Sequence, residues 1–307
     1  MLTIRKKAVF FGLPFFIIST GLLLLYSLLH WILIIRTNNF MISEGILYFY
    51  LPFILAGIAV IIWLNPKIKL IKRFKNNSQI LIVFDLITIL TIAIPTIFMQ
   101  NYLSSVFGAL TVLEYVDQIS TFKKTKYYSI KNYIIDTKNR GVYFDQSVSG
   151  RGARDLTFKL YVAIPIINKA EIPSKEPLWL GYYYYKSLSN NSSEQHKEME
   201  FKKFINNSFK RLNSEAFLPF LYFERWDQFP QFNPLIEAVK KSSGYRIQKP
   251  TILKPSVEPF EERTGNTLYN MFTLFLILGG FWFLIVLRSQ FDENEPEQFY
   301  SNKREIR

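Results

Sequence analysis

The apolar positions of the chain fall into two patterns. Four stretches, 8–35, 47–64, 80–98 and 268–287, are almost continuously greasy, whereas apolar and polar residues mix on a shorter period between the third and the fourth. A hydrocarbon core about 30 Å thick takes about 20 apolar residues of helix, so all four read as membrane spans. Stretch 8–35 has no formal charge. As one helix it would measure about 42 Å, which asks for a tilt or a kink, and Gly12 and Pro14 mark the place. Its leading Arg5, Lys6 and Lys7 resemble a secretion signal, but the greasy run is too long and no small-x-small cleavage pattern follows. It is expected to be retained. The second stretch ends at Asn65-Pro66, Pro95 lies near the far end of the third, and Arg288 closes the fourth. About ten residues join the first two, enough for a tight helical hairpin.

Within 102–265 the period shortens to two. Leu156, Phe158, Leu160, Val162, Ile164 and Ile166 share one parity, opposite Thr157, Lys159 and Tyr161. This predicts a half-buried strand with one face on a core. Segments 127–135, 141–148, 178–186 and 218–224 are also rich in β-branched or aromatic residues. Asn139-Arg140-Gly141 and Ser149-Gly150-Arg151-Gly152 supply turns for an antiparallel meander. Ser192 followed by Gln195 resembles a capping box. Phe201, Phe204, Ile205, Ser208 and Leu212 then keep helical spacing, and a second helix is expected over 232–242, entered through Asn233-Pro234. Pro250, Pro255 and Pro259 impose an extended return. The expected architecture is a membrane protein with four transmembrane α-helices and an α+β extracytoplasmic domain built on a largely antiparallel sheet. Its boundaries are 1–101 for three spans, 102–265 for the domain, 266–288 for the fourth span and 289–307 for a disordered tail, whose Asp292, Glu293, Glu295 and Glu297 mix with Lys303, Arg304 and Arg307.

Charge orients this arrangement. Arg5, Lys6 and Lys7 precede the first span, and Lys67, Lys69, Lys72, Arg73 and Lys75 lie between the second and third, against Arg36 alone between the first and second. Short basic loops stay in the cytoplasm, so both termini are expected inside and 102–265 outside, in the inner membrane of a bacterial cell. The domain holds 24 Lys and Arg against 17 Asp and Glu, part of a total of +13. A basic balance first suggests nucleic acid, but an exported domain meets none. Lipid head groups or acidic envelope polymers are the natural counter-charges, and a solvated surface is the simplest account. The chain has no cysteine, which excludes disulfides, thiolate nucleophiles and Cys-based metal centres.

Candidate chemistry is sparse. Asp85 is the only acidic residue in a span. Three readings stand: a pair with Arg288 or Lys75, a proton or ion path, or a carboxylate reaching head-group water. His30, next to Trp31, fits an aromatic belt at the outer interface. His196 sits among Glu194, Lys197, Glu198 and Glu200 at an exposed helix start, so two scattered histidines imply no metal site. A Ser-His-Asp triad would need His196, and no nucleophile-elbow pattern is present. Arg151 and Arg154 could flank an anion in a backbone nest, though a plain hairpin turn accounts for Ser149–Arg154. Aromatic runs over 179–185 and 217–232 could leave rings outside for a peptide or glycan, with core packing the simpler account. Asn206-Asn207-Ser208 would be glycosylated only in a eukaryotic secretory setting. No cofactor is implied.

The order of several markers carries a resemblance. Leu29-His30-Trp31 in the first span is followed by Trp63-Leu64-Asn65-Pro66-Lys67-Ile68-Lys69-Leu70. Lys126-Tyr127-Tyr128 to Lys131-Asn132-Tyr133, Gly141-Val142 and Val257-Glu258-Pro259-Phe260-Glu261 through Arg263, Gly265 and Asn266 come next. Together they resemble the amino-terminal membrane region ahead of the protease domain in some Bacteroidetes-type rhomboid-family proteins. That family cuts with a Gly-x-Ser-Gly serine on one span and a histidine on a later one. Here no span contains Gly-x-Ser, spans two to four contain no histidine, and the chain ends about twenty residues after span four, where a catalytic domain would begin. The resemblance therefore implies an accessory region of a rhomboid-type system, and no catalytic residue carries over. The leading expectation is a non-catalytic membrane protein whose outer domain binds or senses a membrane or periplasmic protein partner. A small transporter or channel around Asp85 is the further alternative.

Overall fold

The computed structural model describes residues 4–36, 46–71, 77–169, 177–226, 231–245 and 249–290. Lys72, Arg73 and Lys75 of the basic connector and tail residues 291–307 lie outside the described residues. The chain divides into two compact units. Met1–Phe107 joins Thr264–Arg307 in one, and Gly108–Arg263 forms the other.

The first unit contains α1 (Ile4–Leu33), α2 (Ile46–Ile68) and α3 (Ser78–Phe107), all long and apolar enough to cross a membrane. A fourth helix of this kind ends the described chain, with its regular part at Thr267–Arg288. Its polarity is the reverse of a water-soluble bundle. Leu25, Ile61, Ile82 and Leu276 are 58–68 % exposed on the outside, while Ser19, Ser27, His30, Thr88, Thr96 and Gln100 are buried inside. Helices greasy all round have no amphipathic face to hide, so they pack through small residues and specific polar contacts. Trp282 is the centre of this packing. Its ring stacks on Phe15 at 4.1 Å and faces Phe84 at 5.7 Å, and its indole N–H donates to Thr88 Oγ1 at 2.8 Å.

Two spans run further than the sequence predicts. α2 continues through Asn65-Pro66 to Ile68, and α3, expected to run past Pro95 only as far as 98, continues to Phe107. One proline removes a single backbone donor, and Pro95 is buried among packed neighbours, so the helix is not ended.

Lys7 is 5 % exposed, and its ammonium donates to the carbonyl oxygens of Leu287 (2.6 Å) and Ser289 (2.7 Å). It thereby caps the negative end of the last helix and ties it to the start of α1. A Lys7→Met variant is expected to lose about 1–3 kcal/mol, the worth of charged hydrogen bonds at a helix end. Thermal unfolding in detergent would show it as a lower midpoint, and an unchanged midpoint would contradict the cap.

The second unit is an α+β domain with a seven-stranded, mostly antiparallel sheet. Its strands are β1 (Leu110–Tyr115), β2 (Tyr127–Ile135), β3 (Gly141–Ser149), β4 (Asp155–Asn168), β5 (Leu178–Ser189), β6 (Tyr222–Arg225) and β7 (Ile252–Ser256). Its two longer helices are α4 (Glu194–Glu215) and α5 (Phe232–Lys240), which makes Thr267–Arg288 α6. The expected meander holds for β3–β4–β5. β2 departs from it, because β2 and β3 lie end to end along the same edge of β4: Ile135 faces Ile166, and Gly141 faces Ala163. Between them the chain steps out around Asp136, whose carboxylate accepts from the backbone N–H groups of Lys138 and Asn139. The first residues of β2 pair with β6 and its last with β4, so the circuit β2–β6–β7–β5–β4 closes on itself. β1 pairs parallel with β2, and β7 pairs parallel with β5. No strand was predicted for either segment.

β4 is buried on both faces, unlike the half-buried strand its alternation predicts. Leu156, Phe158, Leu160, Val162 and Ile164 join α4 in one core, while Tyr161 and Ala163 join Trp179, Leu235, Ala238 and Val239 in a second core under α5. A tyrosine and an alanine on the second parity were too weak a signal for a helix whose place is set by tertiary packing. The cap of α4 also moves by one residue: Ser193, not Ser192, accepts from the His196 N–H.

Candidate functional site

Polar side chains gather at both ends of the bundle. At the Lys7 end, Asn65 of α2 donates its amide to the Asp85 carboxylate of α3. Asp85 is thus held by a neighbouring asparagine and not by Arg288, which is exposed at the last turn of α6. The sequence missed Asn65 because the helix was expected to stop there.

At the other end, α1 presents Tyr26, Ser27 and His30 on one face, since positions three and four apart are neighbours on a helix. Tyr26 donates its hydroxyl to the Leu47 carbonyl oxygen at 2.6 Å, and Gln100 donates its amide to Ser27 Oγ at 3.1 Å. Tyr48 shares a hydrogen bond with Ser104 and lies edge-on to the His30 ring at 5.3 Å. His30 is 3 % exposed, so it faces the bundle interior and not an outer belt. Trp31, its neighbour, takes the peripheral position, 5.7 Å from Phe107 with Arg36 over its ring. The two nitrogens of His30 and Oε1 of Gln100 have no hydrogen-bond partner among the described residues. Burying such groups without partners costs free energy.

Asp85 and Gln100 lie about 22 Å apart along α3, at 1.5 Å per residue. The hydroxyls between them do not line a path: Thr88, Thr91 and Thr96 each donate to the carbonyl oxygen four residues earlier on their own helix. Phe15, Phe84, Ile92, Ala93 and Trp282 fill the intervening core.

In the domain, a cleft of about 280 Å³ opens between β5 and α4, lined by Tyr184, Lys186, Phe204 and Arg211 among others. Lys186 pairs with Glu200, and Tyr184 donates its hydroxyl to Glu215 at 2.9 Å. Arg211 also reaches Glu215, at 2.6 Å, and lies over the Tyr184 ring. Burial, reinforced by Glu215, holds the Tyr184 hydroxyl above the ordinary tyrosine range, so it remains a donor. On the opposite face, burial pushes Tyr161 up to about 12, with Tyr183 adding to the shift. The aromatic run is therefore divided. Tyr182 and Tyr184 belong to the core, while Tyr183 and Tyr185 continue a stack from Tyr161, with Tyr185 67 % exposed.

Arg151 and Arg154 are exposed in the β3–β4 hairpin, and neither forms an ion pair among the described residues. The loop turns through positive φ at Gly150, Gly152 and Ala153, as a nest would. A carboxylate already occupies its inner side, since Asp155 Oδ2 would lie 2.3 Å from a Cβ at Gly150. A second anion there would meet a like charge. His196 is exposed in the first turn of α4, and no group of three His, Asp or Glu residues that could hold a metal occurs among the described residues. Comparisons with protein families, curated proteins and solved structures find no match to the chain.

Proposed function

We propose that this chain is a four-pass protein of the bacterial cell membrane, with both termini cytoplasmic, whose non-catalytic domain Gly108–Arg263 stands outside and docks a membrane or envelope protein. The reversed polarity of the bundle carries the membrane reading: exposed leucine and isoleucine cost little in hydrocarbon, and the polar groups of Tyr26, Ser27, Asn65, Thr88 and Trp282 are matched across helices. The basic flanks set the orientation. The binding reading rests on the cleft beside β5.

The absence of cysteine offers a direct test. Asn191→Cys and Lys69→Cys place single thiols on exposed positions of the domain and of the end of α2. In intact cells an impermeant maleimide is expected to label Asn191→Cys at least about tenfold more than Lys69→Cys, with equal labelling after lysis. Preferential labelling of Lys69→Cys would overturn the orientation, and recovery of the chain in the soluble fraction would overturn the membrane reading.

A second reading, favoured by the order of markers shared with rhomboid-family proteins, makes the docked partner an intramembrane protease. Loss of the chain would then change cleavage of a membrane substrate, and unchanged cleavage would remove that partner alone.

A further inference from the structure

The chain enters the domain beside a loop that carries unused charge. α3 has 30 residues, Ser78–Phe107, and so measures about 45 Å, the depth of a bilayer with its head groups included. Thr111 follows Phe107 by four residues, so its Cα stays within about 14 Å of that helix end in any attitude of the domain. Thr111 shares a hydrogen bond with Thr125 at 2.8 Å. Thr125 is tied down twice more: its N–H donates to the Tyr128 hydroxyl at 2.9 Å, and its carbonyl oxygen accepts from Arg225 at 3.3 Å. The residues just before it, Phe122-Lys123-Lys124, are therefore pinned beside the first strand. The chain also leaves from this place. Phe260, three residues before the domain ends at Arg263, lies edge-on to Tyr127 at 5.3 Å, and Tyr127 is the β2 partner of Leu110.

We propose that this loop, with Leu110 and Val112, docks the domain on the phosphate groups of anionic phospholipids around the spans. Phe122 is 49 % exposed, with no ring contact among the described residues, and Val112, on the same face of β1 as the exposed Leu110, is 54 % exposed. Lys123 and Lys124 are exposed, and neither has an ion pair among the described residues. The neighbouring carboxylates are taken: Glu114 by Lys131 at 2.6 Å, Glu224 by Lys126 at 3.5 Å, and Asp117 by the Asn168 amide. Two ammonium groups without an internal counter-charge thus stand beside an exposed ring. A bilayer interface accommodates both, because the ring and the aliphatic side chains enter its apolar edge while the ammonium groups reach phosphate. A free phosphate ion would meet the lysines alone and leave Phe122, Leu110 and Val112 in water. Arg151 and Arg154 also lack ion pairs, but a carboxylate fills their loop and no span adjoins it in sequence.

The proposal rests on the membrane reading but not on its orientation, because both faces of a nanodisc are open to solution. Thr121→Cys and Asn191→Cys, both at exposed positions, are spin-labelled in the otherwise cysteine-free full chain. A nickel chelate carried on a lipid head group relaxes labels that lie at the surface. In discs containing phosphatidylglycerol, relaxation is expected to be stronger at 121 than at 191. Adding Lys123→Gln and Lys124→Gln should lower the ratio of docked to undocked domain by about 25-fold, about fivefold for each lysine near an anionic surface. Discs of phosphatidylcholine alone should lower it in the same direction with both lysines present, as should molar salt. Equal relaxation at 121 and 191 in the anionic discs overturns the proposal. So does relaxation at 121 that neither the neutral lipid nor the double lysine variant changes, since the tether alone would then hold the loop near the surface. A chain that stays out of the discs overturns the membrane reading as well, whereas one that inserts without docking overturns this proposal alone.

Discussion

Gly141→Ala is expected to unseat α5 from the sheet and to destabilise the domain by about 2–3 kcal/mol or more. A Cβ at position 141 would lie 1.8 Å from the Ala238 carbonyl oxygen and 2.7 Å from its carbon. Both are backbone atoms at the end of α5, so no rotamer change relieves the overlap, and the helix itself has to move. The displaced helix covers Tyr161, Ala163 and Trp179 through Leu235, Ala238 and Val239, and it is anchored beside Gly141 by Ser242, whose hydroxyl donates to the Asn139 carbonyl. Limited proteolysis should cut the 231–245 region of the variant faster than that of the parent, with a lower melting midpoint. If both are unchanged, the close approach of α5 to β3 is wrong.

Trp282→Ala is expected to cost about 3–5 kcal/mol in the bundle, the range for truncating a large buried aromatic. The indole, on α6, is 1 % exposed and contacts two other helices at once, through Phe15 of α1 and through Phe84 and Thr88 of α3. Removing it leaves a void between Phe15 and Phe84. Trp282→Phe separates the contributions. It keeps an aromatic face but loses the bond to Thr88, whose hydroxyl still donates to the Phe84 carbonyl oxygen, so about 1 kcal/mol is expected for that bond, apart from the smaller ring. Thermal unfolding in one detergent, with parent, Phe and Ala variants side by side, checks the order. An Ala variant as stable as the parent would contradict the packing.

Which residues form the candidate sites was only partly legible beforehand. Asp85 stood out as the one acid among greasy neighbours, but its partner Asn65 was hidden behind a proline that breaks isolated helices more readily than packed ones. Ser19, Tyr26, Ser27 and His30 share one face at helical spacing, so the sequence of stretch 8–35 does carry a polar stripe, but it does not say which helices that stripe meets. Only the pairings of Tyr26 with Leu47 and of Ser27 with Gln100 show which side of α1 meets α2 and α3. Arg151 and Arg154 were correctly placed on a turn, whereas the Asp155 carboxylate against that turn depends on the backbone at Gly150.

The chain's own pattern determined that there are four long apolar helices, that a domain of strands and helices lies between the last two of them, and where β2, β3, β4 and β5 begin. These are properties of short windows, set by a residue's preference for hydrocarbon or for a pleated face. Tertiary structure decided the rest: that β2 and β3 share one edge of β4, that β4 is covered on both faces, and that β7 pairs with β5 at Trp179 and Leu180. Those outcomes depend on contacts between residues distant along the chain, whose free energy exists only once the partners are brought together, so no local window contains them.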